Sequence, residues 1–200
     1  LCAERLLEMT PQWEMARRVH ASLRGQKTYR RSKIKWTALP AKPERPRLSV
    51  CLIVKNEEEF LGRCLASVKP IATQIVVVDT GSTDRTVEIA KSFGAEVDFF
   101  PWNDNFSDAR NAAHAHARGD WVLVLDADEE LPPESHEKLA RDMEATNVLG
   151  YRIPICNLQE APDAVTFVPR LFRNAPALFF MSRVHEQIYA SVLARKTDWS

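Results

Sequence analysis

Read for the spacing of its apolar and polar positions, the chain divides into two rhythms that meet near residue 48. Before that point Leu6, Leu7, Trp13, Met15, Ala16, Val19 and Leu23 recur at helical offsets, which predicts a helical leader over 1–23 with a break at Pro11. After it, short β-branched apolar runs alternate with amphipathic stretches of about ten residues. LSVCLIV at 48–54 and QIVVVD at 74–79 are apolar almost throughout, the pattern of strands buried on both faces. Residues 96–100 and 121–125 supply a third and a fourth strand. Phe60, Leu61, Cys64, Leu65 and Val68 repeat at helical spacing between the first two. A second helix is capped at Ser82, Thr83 and Asp84 and stops at Gly94, and a third runs over 107–118 to Gly119. Beyond a helix near 134–146 the rhythm changes: 151–155, 165–172 and 178–189 read as strands or irregular segments in an antiparallel arrangement.

Strands alternating with helices predict an α/β fold: a mainly parallel, Rossmann-like sheet covered on both faces, ending in a short mixed part. Three regions follow: a helical leader (1–23), a basic linker (24–47) with Pro40, Pro43 and Pro46 at every third position, and an α/β domain (48–200). The leader has the look of the end of a helical repeat unit, although one copy does not establish a repeat.

Composition narrows the class. With 45% hydrophobic and 27% charged residues among 200, the chain is neither disordered, nor collagen-like, nor a disulfide-dense mini-protein. Its zero net charge is a sum of opposites: residues 1–47 carry twelve Lys and Arg against four Asp and Glu, and the rest carries the compensating excess of acid. The basic stretch over 24–35 suits a solvated linker or peripheral contact with an anionic membrane. It lacks an aromatic and glycine readout pattern, so nucleic acid is not an expected partner. No apolar run reaches the ~18 residues of a membrane span, and charge stands where a secretory signal is apolar. Cys2, Cys51, Cys64 and Cys156 show no metal-like spacing. Cys51 and Cys64 read as small core hydrophobes, and a cytoplasmic, membrane-peripheral setting is expected.

In open α/β sheets ligands bind beyond the carboxyl ends of the strands. Lys55, Asn56 and Glu57 follow the first strand; Asp79, Thr80, Gly81 and Ser82 follow the second. Asp104, Asp108 and Arg110 follow the third, and Asp126, Ala127 and Asp128 the fourth. Asp126 and Asp128 are two apart at a strand end and point to one side. Two carboxylates that close repel unless a cation neutralises them, and a divalent metal bridging to a diphosphate would do so. Helix capping is the plain alternative for this pair, as an ordinary strand–turn–helix is for Asp79 and Gly81. Neither GxGxxG nor GxxxxGK[ST] occurs, which counts against dehydrogenases and P-loop enzymes.

Taken in order, LSVCLIVKNE (48–57), IVVVDTGSTD (75–84), FSDARN (106–111) and GDWVLVLDAD (119–128) resemble family 2 glycosyltransferases of the GT-A fold over about residues 48–190. The resemblance implies a metal-dependent, inverting hexosyltransferase using a nucleotide-diphosphate sugar, usually a UDP-sugar, with a glycan, lipid or protein as acceptor. It implies that Val54, Asn56 and Glu57 line the nucleoside pocket, with Gly81 and Ser82 beside them, and that Asp79 bonds the uracil. Asp108 and Arg110 would sit near the donor, with Arg110 on the diphosphate, and Asp126 on the ribose or the metal's water shell. Asp128 would ligate Mn2+ or Mg2+, with His185 of the downstream His185–Glu186 pair as a further ligand. An imidazole ligand tilts that choice toward Mn2+. A general base is also required; Glu186, Asp163, Glu160 and Glu129 are the candidates, with Glu186 preferred. His114 and His116 read as edge histidines.

Two departures from the family pattern stand out. The roughly seventy residues after Asp128 are few for an acceptor half, so a truncated acceptor half is expected, and the leader and linker lie outside the motifs. Two rival readings remain: a non-catalytic nucleotide-sugar binding module, and a sugar-phosphate nucleotidyltransferase. The second would place a glycine-rich basic loop where Lys55 is followed by Asn56, Glu57, Glu58 and Glu59.

Overall fold

The computed structural model describes residues 45–157, 165–175, 178–184, 186, 188 and 191–192. The expected leader and the linker as far as residue 44 lie outside them. Six strands make one sheet in the order β3-β2-β1-β4-β6-β5: β1 (Leu48–Val54), β2 (Gln74–Asp79), β3 (Glu96–Phe99), β4 (Trp121–Val124), β5 (Gly150–Cys156) and β6 (Val165–Arg173). β1 to β4 run parallel; β6 is antiparallel to both β4 and β5. The unbroken apolar runs become central strands because both faces are covered. Leu48, Val50, Leu52 and Val54 enter one core with helices α1 (Leu61–Val68), α2 (Thr86–Ser92) and α4 (Ser135–Met143). Cys51, Val76, Val78, Val122 and Val124 enter the other, under helix α3 (Phe106–Ala115) and the last described segment. From β1 the chain steps outward to β2 and β3, then returns across α3 to β4 on the far side of β1. The crevice of the sheet therefore opens between the carboxyl ends of β1 and β4.

The antiparallel part departs from regularity in one place. Tyr151 pairs with Leu171 but Arg152 pairs with Pro169, so Arg170 is an extra residue on β6, a β-bulge. Pro169 has no N–H to give to a ladder, which favours the break there. Pro154 lies in the edge strand β5, where a missing donor is tolerated.

The remaining differences from the sequence pattern have local causes. α2 begins at Thr86 rather than Ser82, because the intervening N–H groups are claimed by side chains: Gly81 and Ser82 donate to the Asp79 carboxylate, Thr83 to Asn56 Oδ1 at 2.8 Å and Arg85 to Glu58 Oε2 at 3.1 Å. α3 ends at Ala115 because the Arg118 and Gly119 N–H groups turn back to Ser49 Oγ, at 3.2 and 2.8 Å. The described part of 178–192 forms no strand beyond an isolated bridge at Met181. Side chains of α3 meet its backbone instead: Asn111 clasps Phe180 at both N–H (2.7 Å) and C=O (3.0 Å), and Ser107 Oγ donates to Ser182 O at 2.5 Å. This strap buries Leu178, Phe180 and Ile188 in the second core.

Gly119 fits only without a side chain. A Cβ there would lie 2.6 Å from Ser49 N and 2.8 Å from Arg47 O, backbone atoms of the central strand and its lead-in. Gly119→Ala is therefore expected to cost about 1–3 kcal/mol of stability through forced backbone shifts. A lowered urea midpoint with an unchanged slope would show it.

Candidate active site

Two loops close one wall of the crevice by lacing into each other. Asn56 takes a left-handed conformation (φ 56°), which asparagine tolerates. Its N–H donates to Ser82 Oγ at 2.9 Å, the Glu57 N–H to Thr86 Oγ1 at 2.7 Å and the Glu58 N–H to Asp84 Oδ2 at 3.1 Å. Gly81, at φ 112°, makes the turn that permits this, a conformation closed to side-chain-bearing residues. The wall is thus set by hydrogen bonds between the β1–α1 and β2–α2 loops.

The crevice itself encloses about 470 Å³ and is lined by Ile53, Val54, Lys55 and Glu57 on that wall, Thr80 beside them, and Arg110, Asp126, Ala127 and Asp128 at the floor. Trp102 and Phe106, in edge contact with centroids 4.8 Å apart, form an aromatic side with Val184, and Glu186 reaches in from the strap. Four carboxylates against Lys55 and Arg110 leave this lining acidic.

The floor is held by ion pairs. Arg110 is 4% exposed, and every arm of its guanidinium is engaged. Nε donates to Glu186 Oε1 at 3.2 Å, Nη1 to Leu125 O at 3.2 Å and Nη2 to Asp126 Oδ1. Arg170 approaches Asp126 from the other side: Nη2 donates to Asp126 Oδ2 at 2.5 Å and to Glu129 Oε1 at 2.7 Å. Glu129 Oε2 in turn accepts the Asp126 N–H at 2.9 Å. Burial alone would raise the Asp126 carboxyl, but Arg110 and Arg170 outweigh it and hold it below the usual carboxylate range. Glu57 moves the other way: burial raises it, and the negative charges of Asp128, Asp84 and Asp126 raise it further. Cys64, beneath the floor, is buried and its thiol is pushed up to about 12, mainly by desolvation, so it is no nucleophile.

Of the residues singled out from sequence, Val54, Glu57, Arg110, Asp126, Asp128 and Glu186 come together in this crevice. Asn56, Asp79, Gly81 and Ser82 lie in the laced wall, with both Asp79 oxygens accepting backbone N–H groups. Asp108 is exposed and accepts from Asn103 Nδ2 at 2.8 Å, outside the lining. Glu129 lies behind the floor, clamped by Arg170. His185, Glu160 and Asp163 lie outside the described residues. In the sequence Arg170 stands only as part of the run 170–173 that precedes the His185–Glu186 pair, with no role of its own, although a charged side chain after a proline inside a strand is a signal for a bulge. Trp102, in the loop after β3, has no role in that reading, and Phe106, the first residue of α3, has none beyond its place in the 106–111 motif.

For a cation, the donor set is narrow. Among the described residues no three His, Cys, Asp or Glu side chains converge as a metal-holding group. Asp126 has both oxygens on guanidinium groups, whereas Asp128 is exposed and no described residue bonds it. One open carboxylate amid excess negative charge fits a cation that completes its shell with water and substrate phosphates.

Fold and crevice together define an α/β protein with an acidic crevice at the switch point of a mainly parallel sheet. The chain belongs to glycosyl transferase family 2, whose family profile matches residues 49–191. A TPR repeat-containing protein of Synechococcus elongatus is 44% identical over 147 residues, covering 74% of this chain and 36% of its own length. An uncharacterized glycosyltransferase of Rickettsia prowazekii is 34% identical over 148 residues, covering 72% of this chain and 48% of its own. The prophage-derived glycosyltransferase SunS of Bacillus subtilis is 31% identical, with 73% of this chain and 36% of SunS covered. This chain thus spans between a third and a half of the length of these relatives. Among solved structures, residues 1–349 of S. aureus TarS in complex with UDP share the fold, with a TM-score of 0.57 at 21% identity over 74% of this chain and 54% of that one. No helix among the described residues is long and apolar enough to cross a membrane.

Proposed function

We propose that this chain carries the donor site and transfer chemistry of an inverting glycosyltransferase that uses a UDP-sugar with Mn2+ or Mg2+. The observation that carries the reading is the pair of carboxylates at the end of β4, one clamped between two arginines and one left open. An acidic crevice does not attract a diphosphate on its own, and a cation at Asp128 makes the two compatible. TarS, which shares the fold, is solved with UDP, and UDP is the nucleotide assigned to this crevice.

The chain's own residues then divide the work. The laced wall and Val54 hold the nucleoside, and the Thr80 hydroxyl fixes the end of β1 by donating to Val54 O at 3.0 Å. Arg110 fixes Asp126 and lends its charge to the floor where the diphosphate departs. A bound divalent cation supplies the further positive charge that stabilises the leaving diphosphate. Glu186 takes the proton of the acceptor hydroxyl as its oxygen bonds to the anomeric carbon and the bond from that carbon to the diphosphate oxygen breaks. Its Oε1 is held by Arg110, and no described residue bonds Oε2. Trp102, Phe106 and Val184 offer an apolar flank to a sugar ring. His185 is retained as a candidate further ligand. The leader is assigned to a helical repeat region, and the basic 24–35 stretch to peripheral contact with an anionic surface in the cytoplasm.

The test is a donor panel. The chain is incubated with UDP- and GDP-sugars in Mn2+, in Mg2+ and in EDTA, and free nucleotide is measured. Metal-dependent release from a UDP-sugar is the expected result. Metal-dependent UDP binding without any release would instead identify a binding module.

A further inference from the structure

We propose that Arg170 is a positioning residue that sets the 126–129 turn and thereby the aim of Asp128. The inference rests on the donor-site reading above and deepens it. Three observations carry it. First, β6 delivers Arg170 through a bulge: it is the extra residue between the Leu171 and Pro169 pairings, one step past the Leu123–Leu171 rung where the β4–β6 pairing ends. Bulges re-aim a side chain, and here the side chain is turned to the carboxyl end of the neighbouring strand.

Second, the contacts close a ring. Arg170 Nη2 bridges Asp126 Oδ2 (2.5 Å) and Glu129 Oε1 (2.7 Å), while Glu129 Oε2 accepts the Asp126 N–H (2.9 Å) and the Glu129 N–H donates to Asp126 O (3.1 Å). Asp128 lies inside that ring in sequence but takes no part in it, so its backbone is fixed while its carboxylate stays open. Third, the arrangement is not one that stability alone selects. The Arg170 side chain is 13% exposed, and its Nε is buried without a hydrogen-bond partner among the described residues. A buried donor left unmet is unfavourable, and buried ion pairs are commonly no better for stability than apolar packing. Residues that orient a metal ligand from behind change metal affinity by about 10- to 100-fold when replaced.

The experiment titrates UDP into the chain by calorimetry over a series of Mn2+ concentrations, for wild type, Arg170→Met, Arg170→Lys and Glu129→Gln, each with a thermal melt. Arg170→Met is expected to raise the Mn2+ concentration for half-maximal UDP binding about tenfold or more, with UDP affinity at saturating Mn2+ nearly unchanged. Arg170→Lys should recover part of the loss, and Glu129→Gln should shift the Mn2+ requirement in the same direction by less. A merely structural arginine would lower the melting temperature and leave the Mn2+ requirement of the folded fraction unmoved, which overturns the proposal. Should Arg170→Met not fold, Glu129→Gln decides: an unshifted Mn2+ requirement there overturns it equally. UDP binding by wild type that ignores Mn2+ would overturn this inference and leave the nucleotide site standing. No UDP binding at any Mn2+ concentration would overturn the donor reading itself, and the inference with it.

Discussion

Asp128→Asn is expected to reduce nucleotide release from the donor about 100- to 1,000-fold while leaving the fold untouched. The magnitude is that of several kcal/mol of lost charge stabilisation on the leaving diphosphate, at ~1.4 kcal/mol per tenfold. The absence of a stability effect follows from position: Asp128 is exposed and no described residue bonds it, and such surface changes usually stay within about 0.5 kcal/mol. Asparagine keeps the shape but loses the charge that a cation needs. The check is nucleotide release in Mn2+ beside a denaturant curve of the same preparation. An active Asp128→Asn would remove the metal from the mechanism.

Arg110→Met should fail in both respects. Its guanidinium bonds Asp126, Glu186 and the Leu125 carbonyl from a site 4% exposed to solvent. Removing it strands two carboxylates and a carbonyl, and breaking a buried pair from one side costs about 3 kcal/mol, a large share of the ~5–15 kcal/mol of a typical domain. The effect has a pH signature. Asp126 is held below its ordinary value in the folded state, first against burial and then by Arg110 and Arg170. Its contribution is therefore complete above the unfolded-state pKa of about 3.9 and is lost as pH falls through the lower folded value. The gap between wild type and Arg110→Met should be full at neutral pH and narrow below about pH 4. Denaturant midpoints across that range measure it, and a gap that is constant with pH would mean that packing, not charge, is what Arg110 supplies.

The contrast between these two variants shows which parts of the site were legible in the sequence. Asp126 and Asp128 announce themselves because they end an apolar run, and strand periodicity is short-range information. β1, β2 and β4 were legible for the same reason, each being apolar almost throughout. Arg170 was not, since its partner Asp126 is 44 residues away in sequence and the bulge that brings them together depends on how β5 and β6 register. Asn56, Asp79 and Ser82 illustrate another limit: their residue types suit a ligand and suit loop capping equally well; in the structure Asn56 and Ser82 lace the two loops, while Asp79 caps the turn of its own loop. The strap over 178–192 was ambiguous because its apolar residues have a strand-like spacing, while its backbone groups are met by Asn111 and Ser107 rather than by a neighbouring strand.

Hydrogen–deuterium exchange on the chain with UDP and Mn2+, against the chain alone, tests the donor site most directly. Protection is expected in peptides covering 53–57, 80–82 and 126–129, lost when EDTA replaces Mn2+, with the outer β5 edge unchanged. Protection elsewhere, or none in these three segments at saturating UDP, would contradict it.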